Sequence, residues 1–273
     1  MRPRGIANWV FTTGFTAVMS GYAVGSQLLR EDPARMQRHT RCWARGVARG
    51  VGLEVETYGA ERLDPARSYV LMANHQSHID IVALFNALPM VPGFLAKAEL
   101  RRVPLFGRAM EAGGHVFVDR GAERRDGSPT PARGWARDVL RRCRDAVAQR
   151  SDPYPRARHA SAVAAIKVAA EGMRRGDSIV IFPEGTRSSR REVLPFKKGG
   201  FHLAKQSGVP VVPIGIRGTA DILPKHGRAI VPGRCEVHIG EPIDAARVAE
   251  LPLPALMDEV RLAIAALCGL PLA

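Results

Sequence analysis

Short apolar runs alternate along the chain with longer segments whose apolar residues recur at helical spacing. Apolar runs of about four to eight residues are typical of buried strands, whereas a period of 3.6 indicates an amphipathic helix. The pattern predicts strands at 53–58, 69–72, 93–96, 178–182, 210–216, 228–231 and 235–239, and another before Arg120. It predicts helices at 36–50, 79–88 and 161–174, one ending at 206, and one at 254–267. This alternation predicts an α/β fold.

The N-terminal stretch 6–29 carries no charge and is moderately hydrophobic. It is long enough to enter a membrane, which leaves a spanning helix, a monotopic helix in one leaflet or a cleaved signal peptide as alternatives. Arginines flank it on both sides, with the larger cluster after residue 29, so the positive-inside rule places the C-terminal part at the cytoplasmic face of the membrane. We predict a membrane-associated helical segment at 1–50 and a single domain at 51–273.

Composition limits the remaining possibilities only loosely. A chain of 273 residues that is 46% hydrophobic can bury one substantial core, and no repeat or Gly/Ser linker divides it. The net charge of +14 points to an anionic partner, which leaves nucleic acid, acidic lipid headgroups or a phosphorylated small molecule open, beside a merely Arg-rich composition. The four scattered cysteines favour reduced thiols in a cytosol-facing protein.

A candidate base and its orienting carboxylate follow the apolar run at 69–72. His75 precedes Asp80 by five residues, and a carboxylate on one imidazole nitrogen fixes the tautomer that abstracts a proton through the other. In a regular helix these positions lie roughly 140° apart. We therefore expect His75 in the turn after the strand and Asp80 in the first turn of the helix at 79–88.

A second candidate turn follows the strand at 178–182. Its sequence is Pro-Glu-Gly-Thr-Arg-Ser at 183–188, in which Gly185 lets the backbone approach a ligand and Arg187 offers a planar fork for phosphate. Turns at strand ends are where open α/β sheets bind ligands.

Four sequence blocks stand in a fixed order between residues 74 and 214. They are Asn-His-x-x-x-x-Asp at 74–80, Gly-His-Val-Phe-Val-Asp-Arg at 114–120, Phe-Pro-Glu-Gly-Thr-Arg-Ser at 182–188 and Val-Pro-Val-Val-Pro-Ile at 209–214. Together they resemble the glycerolipid acyltransferase family. The resemblance implies a mixed sheet flanked by helices.

The resemblance also implies the reaction. An acyl group would pass from acyl-CoA or acyl-carrier protein to the free hydroxyl of a lysophospholipid, with lysophosphatidic acid as the expected acceptor and lyso-ornithine lipid as an alternative. We expect His75 to be the base, Asp80 to orient it and Asn74 to shape the turn. The residues expected at the acceptor phosphate are Lys97, Arg120, Glu184, Gly185, Thr186 and Arg187. No bound cofactor is expected; the expected partners are the membrane surface, its lipids and a carrier-protein donor.

Two of these residues and one further segment have ordinary structural alternatives. Instead of binding phosphate, Lys97 could equally be a solvated surface charge, and Arg120 could form a surface ion pair. From 121 to 159 the chain departs from the family pattern, and an Arg-rich amphipathic helix is predicted within this insertion. Such a helix either lies on an anionic bilayer or packs on the domain.

Other classes of function are less well supported. His75, His78 and Asp80 are a potential zinc-binding trio for a metal-dependent hydrolase, but the sequence offers no further ligand cluster. The chain has no Gly-x-Ser-x-Gly elbow, which would indicate a serine hydrolase. Nucleic-acid binding would rest on charge alone, so we expect no nucleic-acid partner. Because the further ligand cluster is missing from the sequence, we also expect no metal site.

Overall fold

The computed structural model describes residues 3–29, 32–118 and 162–273, and these residues form one seven-stranded sheet. The strands are β1 Leu53–Tyr58, β2 Val70–Ala73, β3 Gly93–Lys97, β4 Val116–Val118, β5 Ile179–Ile181, β6 Val211–Arg217 and β7 Gly233–Ile239. Their order is β1-β7-β6-β2-β5-β3-β4. Among these described strands, β6 and β7 pair antiparallel and the other neighbours pair parallel. The expected α/β fold with a mixed sheet is confirmed.

Helices cover the sheet. The described α-helices are α1 Pro3–Leu29, α2 Pro33–Val51, α3 Ile79–Ala87, α4 Phe106–Ala112, α5 Ala162–Arg174, α6 Gly199–Ser207, α7 Thr219–Ile222, α8 Ala245–Glu250 and α9 Leu253–Cys268. Short 3₁₀ turns stand at Ala60–Arg62 and Ala98–Arg102. Parallel neighbours such as β3 and β4 are joined through a helix, here α4, as a crossover requires.

The central strand β2 is hydrophobic on both faces because both of them are covered by helices. Successive side chains of a strand point to opposite faces. Val70 and Met72 pack into a core with α5, α6 and α9, whereas Leu71 and Ala73 pack into a second core with α2 and α3. All four residues are fully buried. A strand covered on both faces therefore appears in the sequence as an uninterrupted apolar run.

The parallel pairing brings the candidate chemistry to one edge. β6, β2, β5, β3 and β4 run parallel to one another, so their carboxyl ends lie on the same side of the sheet. His75 follows β2, the turn containing Arg187 follows β5, and Lys97 ends β3. These turns form the candidate site.

Helix α1 has its polar side turned inward. Asn8, Ser20 and Ser26 are buried, and the Asn8 amide donates to the carbonyl oxygens of Val51 and Ile230 at 3.3 and 3.1 Å. The indole N–H of Trp43 on α2 donates to the Thr16 hydroxyl at 2.9 Å. Phe11 and Phe15 pack against Gly50 and Gly46 of α2. Other large apolar side chains are exposed, and we call them the outer face of α1: Ile6, Trp9, Val10, Val18 and Tyr22.

No helix in the described ranges combines the length and the hydrophobicity needed to cross a membrane.

Two sequence predictions need comment here. The predicted strand at 228–231 is wrong: the backbone N–H of Ile230 donates to the Gly5 carbonyl at 3.1 Å and that of Val231 to Ile222 at 3.0 Å, so this segment anchors α1 instead of joining the sheet. Arg120 and the predicted helical insertion at 121–159 lie outside the described residues.

Candidate active site

The expected contact between His75 and Asp80 is present. His75 Nδ1 lies 2.8 Å from Asp80 Oδ2, and the carboxylate is almost completely buried while the imidazole retains a 15% exposed side chain. Because an ionised carboxylate can only accept, the proton of this bond belongs to Nδ1. The other ring nitrogen, Nε2, is then the unprotonated atom that can take a proton.

Local sequence places the pair at a loop-to-helix junction. Asp80 stands in the first turn of α3, and its Oδ2 also accepts the backbone N–H groups of Gln76 and Ser77 at 2.8 and 2.9 Å. These amides precede the helix and would otherwise be buried without partners, which is costly. The carboxylate therefore holds the turn and the imidazole at once.

Asn74 ties this turn to β6. Its side-chain amide donates to the Ile216 carbonyl at 2.9 Å, and its Oδ1 accepts the Ile216 N–H at 2.7 Å. The buried Asn74 side chain thus bonds both the N–H and the C=O of Ile216, as the backbone of a neighbouring strand would. It continues the pairing of β2 with β6 past the end of β2. This geometry agrees with the predicted turn-shaping role of Asn74.

The turn after β5 holds His75 from the other side. Gly185 adopts a φ of 71°, a left-handed conformation that favours glycine, and closes a turn in which its N–H donates to the Phe182 carbonyl at 3.0 Å. The Phe182 ring stacks on the imidazole with centroids 3.9 Å apart, and the Ser188 N–H donates to the His75 carbonyl at 2.7 Å. One face of the imidazole is thus covered.

Glu184 has a different role from the phosphate contact expected from the sequence. Its carboxylate is buried and accepts the backbone N–H groups of His75 at 2.8 Å and Leu194 at 3.2 Å. Burial raises the pKa of Glu184 to about 7; the two amides lower it, and the charge of Asp80 raises it further. A buried carboxyl whose oxygens are engaged in this way fixes the backbone of His75 and leaves phosphate to other groups.

Replacing Glu184 by Gln should change how stability depends on pH. The folded pKa of about 7 lies above the ordinary value of 4.5, so the folded state binds this proton more tightly. The contribution of Glu184 to stability is therefore largest below pH 4.5 and is lost as the pH rises through about 7. Relative to wild type, Glu184→Gln should gain about 3 kcal/mol of unfolding free energy across this window.

Chemical denaturation at a series of pH values measures this difference. His115 titrates with the opposite sign, since burial lowers its pKa to about 4, but it contributes equally to both proteins and cancels. The exposed Glu250→Gln variant is the matched control and should follow the wild type. A difference between Glu184→Gln and wild type that stays constant with pH would contradict the assignment.

Arg187 and His78 stand beside the pair. Partial desolvation lowers the pKa of Arg187, while the negative charge of Asp80 raises it. Desolvation, the Arg187 guanidinium and His75 lower the pKa of His78, while the charge of Asp80 raises it. Within the described residues no carboxylate forms an ion pair with Arg187, which leaves its guanidinium available for an anion at the site.

The other predicted phosphate residues are distributed around the same edge. Thr186 is exposed in the turn next to Arg187. Lys97 is exposed at the end of β3 and forms a 2.9 Å ion pair with Glu99, which matches the surface-charge alternative. Its role at the phosphate therefore stays a prediction, as does that of Arg120.

The metal-site alternative does not fit the geometry. Within the described ranges no three His, Cys, Asp or Glu side chains are grouped so as to hold a metal ion. The Asp80 carboxylate is already surrounded by hydrogen-bond donors from His75 and the backbone. We therefore derive no step from His75, His78 and Asp80 as a ligand set.

Two contacts of the pair were not predicted from the sequence. The Phe182 ring lies against His75, and the hydroxyl of Thr219 on α7 donates to Asp80 Oδ1. Phe182 stands inside a recognised block, which is a signal for it in the sequence. Thr219 stands 139 residues from Asp80 and follows the last block, so no local pattern indicates it.

A buried His–Asp pair beside a cationic turn, at the carboxyl edge of an α/β sheet, is a site suited to moving a proton next to an anionic group. The sequence profile described as Acyltransferase matches residues 54–217, which includes the pair and the turn. The chain belongs to this acyltransferase family.

Named relatives agree with the family assignment. The chain is 32% identical to 1-acyl-sn-glycerol-3-phosphate acyltransferase alpha of Ovis aries over 212 residues, which are 77% of this chain and 61% of the sheep protein. It is 32% identical to 1-acyl-sn-glycerol-3-phosphate acyltransferase of Saccharomyces cerevisiae over 190 residues, 68% of this chain and 51% of the yeast protein. The chain thus spans about half to three fifths of the length of these relatives.

A solved structure supports the fold. The crystal structure of the 1-acyl-sn-glycerophosphate (LPA) acyltransferase PlsC from Thermotoga maritima superimposes with a TM-score of 0.69. The two sequences are 23% identical, and the match covers 95% of this chain and 91% of that one. At this identity the likeness speaks for the fold.

Proposed function

We propose that the protein transfers a fatty acyl group from acyl-CoA or acyl-carrier protein to the free hydroxyl of 1-acyl-sn-glycerol-3-phosphate, giving phosphatidic acid. The observation that carries the proposal is the 2.8 Å bond between His75 Nδ1 and Asp80 Oδ2, beside Arg187. The names of the sheep and yeast relatives support the same substrate.

The geometry accounts for direct transfer. His75 Nε2 takes the proton of the acceptor hydroxyl as that oxygen attacks the thioester carbonyl. The C–S bond then breaks, and the imidazolium gives the proton to the sulfur, so that the donor leaves as a thiol. Asp80 stabilises the imidazolium that forms, because its charge lies on the other ring nitrogen. The acceptor oxygen attacks the donor directly, so no covalent acyl-enzyme is needed.

A panel of substrates tests the proposal. The purified full chain is assayed with acyl-CoA and acyl-carrier protein as donors, and with lysophosphatidic acid and lyso-ornithine lipid as acceptors. We expect phosphatidic acid as the product with at least one donor. Turnover of lyso-ornithine lipid alone would replace the proposed acceptor, and no acyl transfer with any pair would overturn the proposed function.

Arg187→Lys should separate recognition of phosphate from chemistry. A compact ammonium cannot reproduce the two parallel bonds that a guanidinium makes to phosphate oxygens. The loss of such a charge-assisted bond corresponds to about a 10- to 100-fold lower kcat/KM for lysophosphatidic acid. An acceptor without phosphate should be affected little, and the KM for the acyl donor should stay close to wild type.

The exposed neighbour Arg190 provides the matched control, since Arg190→Lys makes the same chemical change three residues away. If Arg187→Lys raised the KM for the acyl donor alone, Arg187 would belong to the donor site.

The outer face of α1 is proposed to lie on the cytoplasmic surface of the cell membrane. Its large apolar side chains are exposed, whereas Asn8, Ser20 and Ser26 of the same helix are buried, the reverse of an ordinary surface helix. On α2, three arginines line a cavity of about 400 Å³ next to α1. Their positive charges would attract the anionic headgroups of the membrane. The cavity is lined by Phe15, Arg38, Cys42, Gly46, Arg45 and Arg49.

Charges introduced on this outer face should weaken membrane binding. Val10 and Val18 are 59% and 69% exposed, so a Val10→Asp/Val18→Asp variant adds charge without disturbing the core. Each buried valine is worth about 1.5–3 kcal/mol, which predicts a loss of at least 10-fold in vesicle partitioning. Co-sedimentation with phosphatidylglycerol vesicles measures the effect.

Leu262 on α9 is 60% exposed and lies outside α1, which makes Leu262→Asp the matched control. Equal losses in both proteins would mean that the outer face of α1 is not the membrane contact.

A further inference from the structure

Asp80 keeps one carboxylate oxygen away from His75. Oδ2 accepts from the imidazole and from two backbone amides, whereas Oδ1 faces the hydroxyl of Thr219. Asp80 is completely buried and Thr219 is 1% exposed, so water does not reach this contact. A buried charged oxygen without a donor is costly, and within the described residues Thr219 is the side chain that supplies one.

The fold fixes the position of Thr219 closely. Asn74 holds Ile216 through both of its backbone groups, near the end of β6. Gly218 then turns the chain with a φ of 85°, and a Cβ at this position would come within 2.7 Å of the Arg234 carbonyl oxygen. Thr219 follows as the first residue of α7, directly across from Asp80.

A purely local role for the hydroxyl is not what the structure shows. Threonine at the start of a helix commonly caps the backbone of its own first turn. Here Gly218 occupies the cap position and no side chain caps α7. The Thr219 hydroxyl instead donates to a residue 139 positions away.

We propose that Thr219 is a positioning residue for acyl transfer: its hydroxyl fixes the rotation and the charge of the Asp80 carboxylate, and thereby holds His75 with Nε2 toward the acceptor. This inference rests on the proposed function for its catalytic part. Within the described residues the hydrogen bond of the Thr219 hydroxyl goes to Asp80, so the proposed effect on His75 passes through this carboxylate.

Two substitutions of similar size test this role in the full-length protein. Thr219→Val keeps the branched shape and removes the hydroxyl, whereas Thr219→Ser keeps the hydroxyl. Hydrogen bonds to charged groups predict about a 10- to 100-fold lower kcat in Thr219→Val, with the KM for both substrates nearly unchanged. Thr219→Ser should recover most of the kcat. The control is Thr40→Val, which removes a hydroxyl bonded to the Met36 carbonyl on α2.

A second readout does not need turnover. The Nδ1–H resonance of His75 is followed by NMR in ¹⁵N-histidine-labelled protein in detergent, and it is identified as the signal that His75→Ala lacks. Thr219→Val should shift this resonance, whereas Thr219→Ser and Thr40→Val should leave it in place. Because the signal reports the His75–Asp80 bond itself, it decides the inference even if lysophosphatidic acid is not the acceptor.

The outcomes that overturn the inference are distinct from those that overturn the proposed function. Thr219→Val with wild-type kcat and an unshifted resonance would remove the positioning role. So would a raised KM at unchanged kcat, since that places Thr219 in a substrate pocket. Absence of acyl transfer in the wild type, with a shifted resonance in Thr219→Val, would reject the proposed reaction and retain the link between Thr219 and Asp80.

Discussion

His75→Ala should lower kcat by about 10²- to 10⁴-fold, the range that general-base catalysis contributes. The fold should survive, because the hydrogen bonds that tie residue 75 into the structure use its backbone: the N–H donates to Glu184 and the carbonyl accepts from Ser188. Alanine keeps both groups. Asp80 also keeps its two backbone donors in the turn.

The measurement is steady-state turnover alongside a thermal unfolding curve. His202→Ala, at an exposed position on α6, is the matched control and should retain full activity. If His75→Ala retained more than about a tenth of the wild-type kcat, the base would have to be another group. A melting temperature far below wild type would instead show that the imidazole stacked on Phe182 is needed for folding.

Asp80→Asn should reduce kcat by about 10²- to 10⁴-fold as well, for a different reason. The amide oxygen can still accept from His75, Gln76 and Ser77, and the amide N–H₂ can face the Thr219 hydroxyl, so the turn remains closed. The negative charge that stabilises the imidazolium is lost. Catalysis should therefore fall while unfolding changes little.

Asp80→Ala separates the two roles of this carboxylate. It leaves the amides of Gln76 and Ser77 buried without an acceptor, at a cost of about 1–3 kcal/mol for each unsatisfied group. Both turnover and the unfolding free energy should drop. Asp258→Asn, at an exposed position on α9, controls for the loss of one negative charge. A near-wild-type kcat in Asp80→Asn would contradict the proposal that the charge of Asp80 stabilises the His75 imidazolium.

The parts of the site that the sequence predicts are those formed by neighbouring residues. The apolar run of β2 and the five-residue spacing of His75 and Asp80 determine a strand, a turn and a helix start, and the structure shows all three. The turn at 182–188 is likewise contained in one block. The resemblance implies a phosphate contact for Glu184 because it belongs to the same block as Arg187, and only the folded chain shows that its carboxylate faces the backbone of His75.

The N-terminal helix shows why periodicity alone is ambiguous. Its apolar side chains repeat as they do in a helix that packs against a core, yet in α1 several of them, such as Val10 and Val18, are exposed, while Asn8 and Ser20 are buried. The sequence indicates which residues share a face of the helix, but it does not indicate which face packs against the domain. The segment at 228–231 was misassigned for a related reason, since its buried Ile230 bonds to α1 instead of a strand.

The contacts that support the proposed catalytic pair, His75 and Asp80, also bear on how the protein folds during synthesis. The His75–Glu184, Asp80–Thr219 and Asn74–Ile216 contacts span 109, 139 and 142 residues. A nascent chain carries both reactive side chains once residue 80 has been synthesised, but the groups that hold them emerge from the ribosome much later. β6 must then pair with β2, a non-local pairing of the kind that forms slowly. Chains released before residue 219 should therefore be catalytically silent, and the onset of activity during synthesis should report the docking of β6.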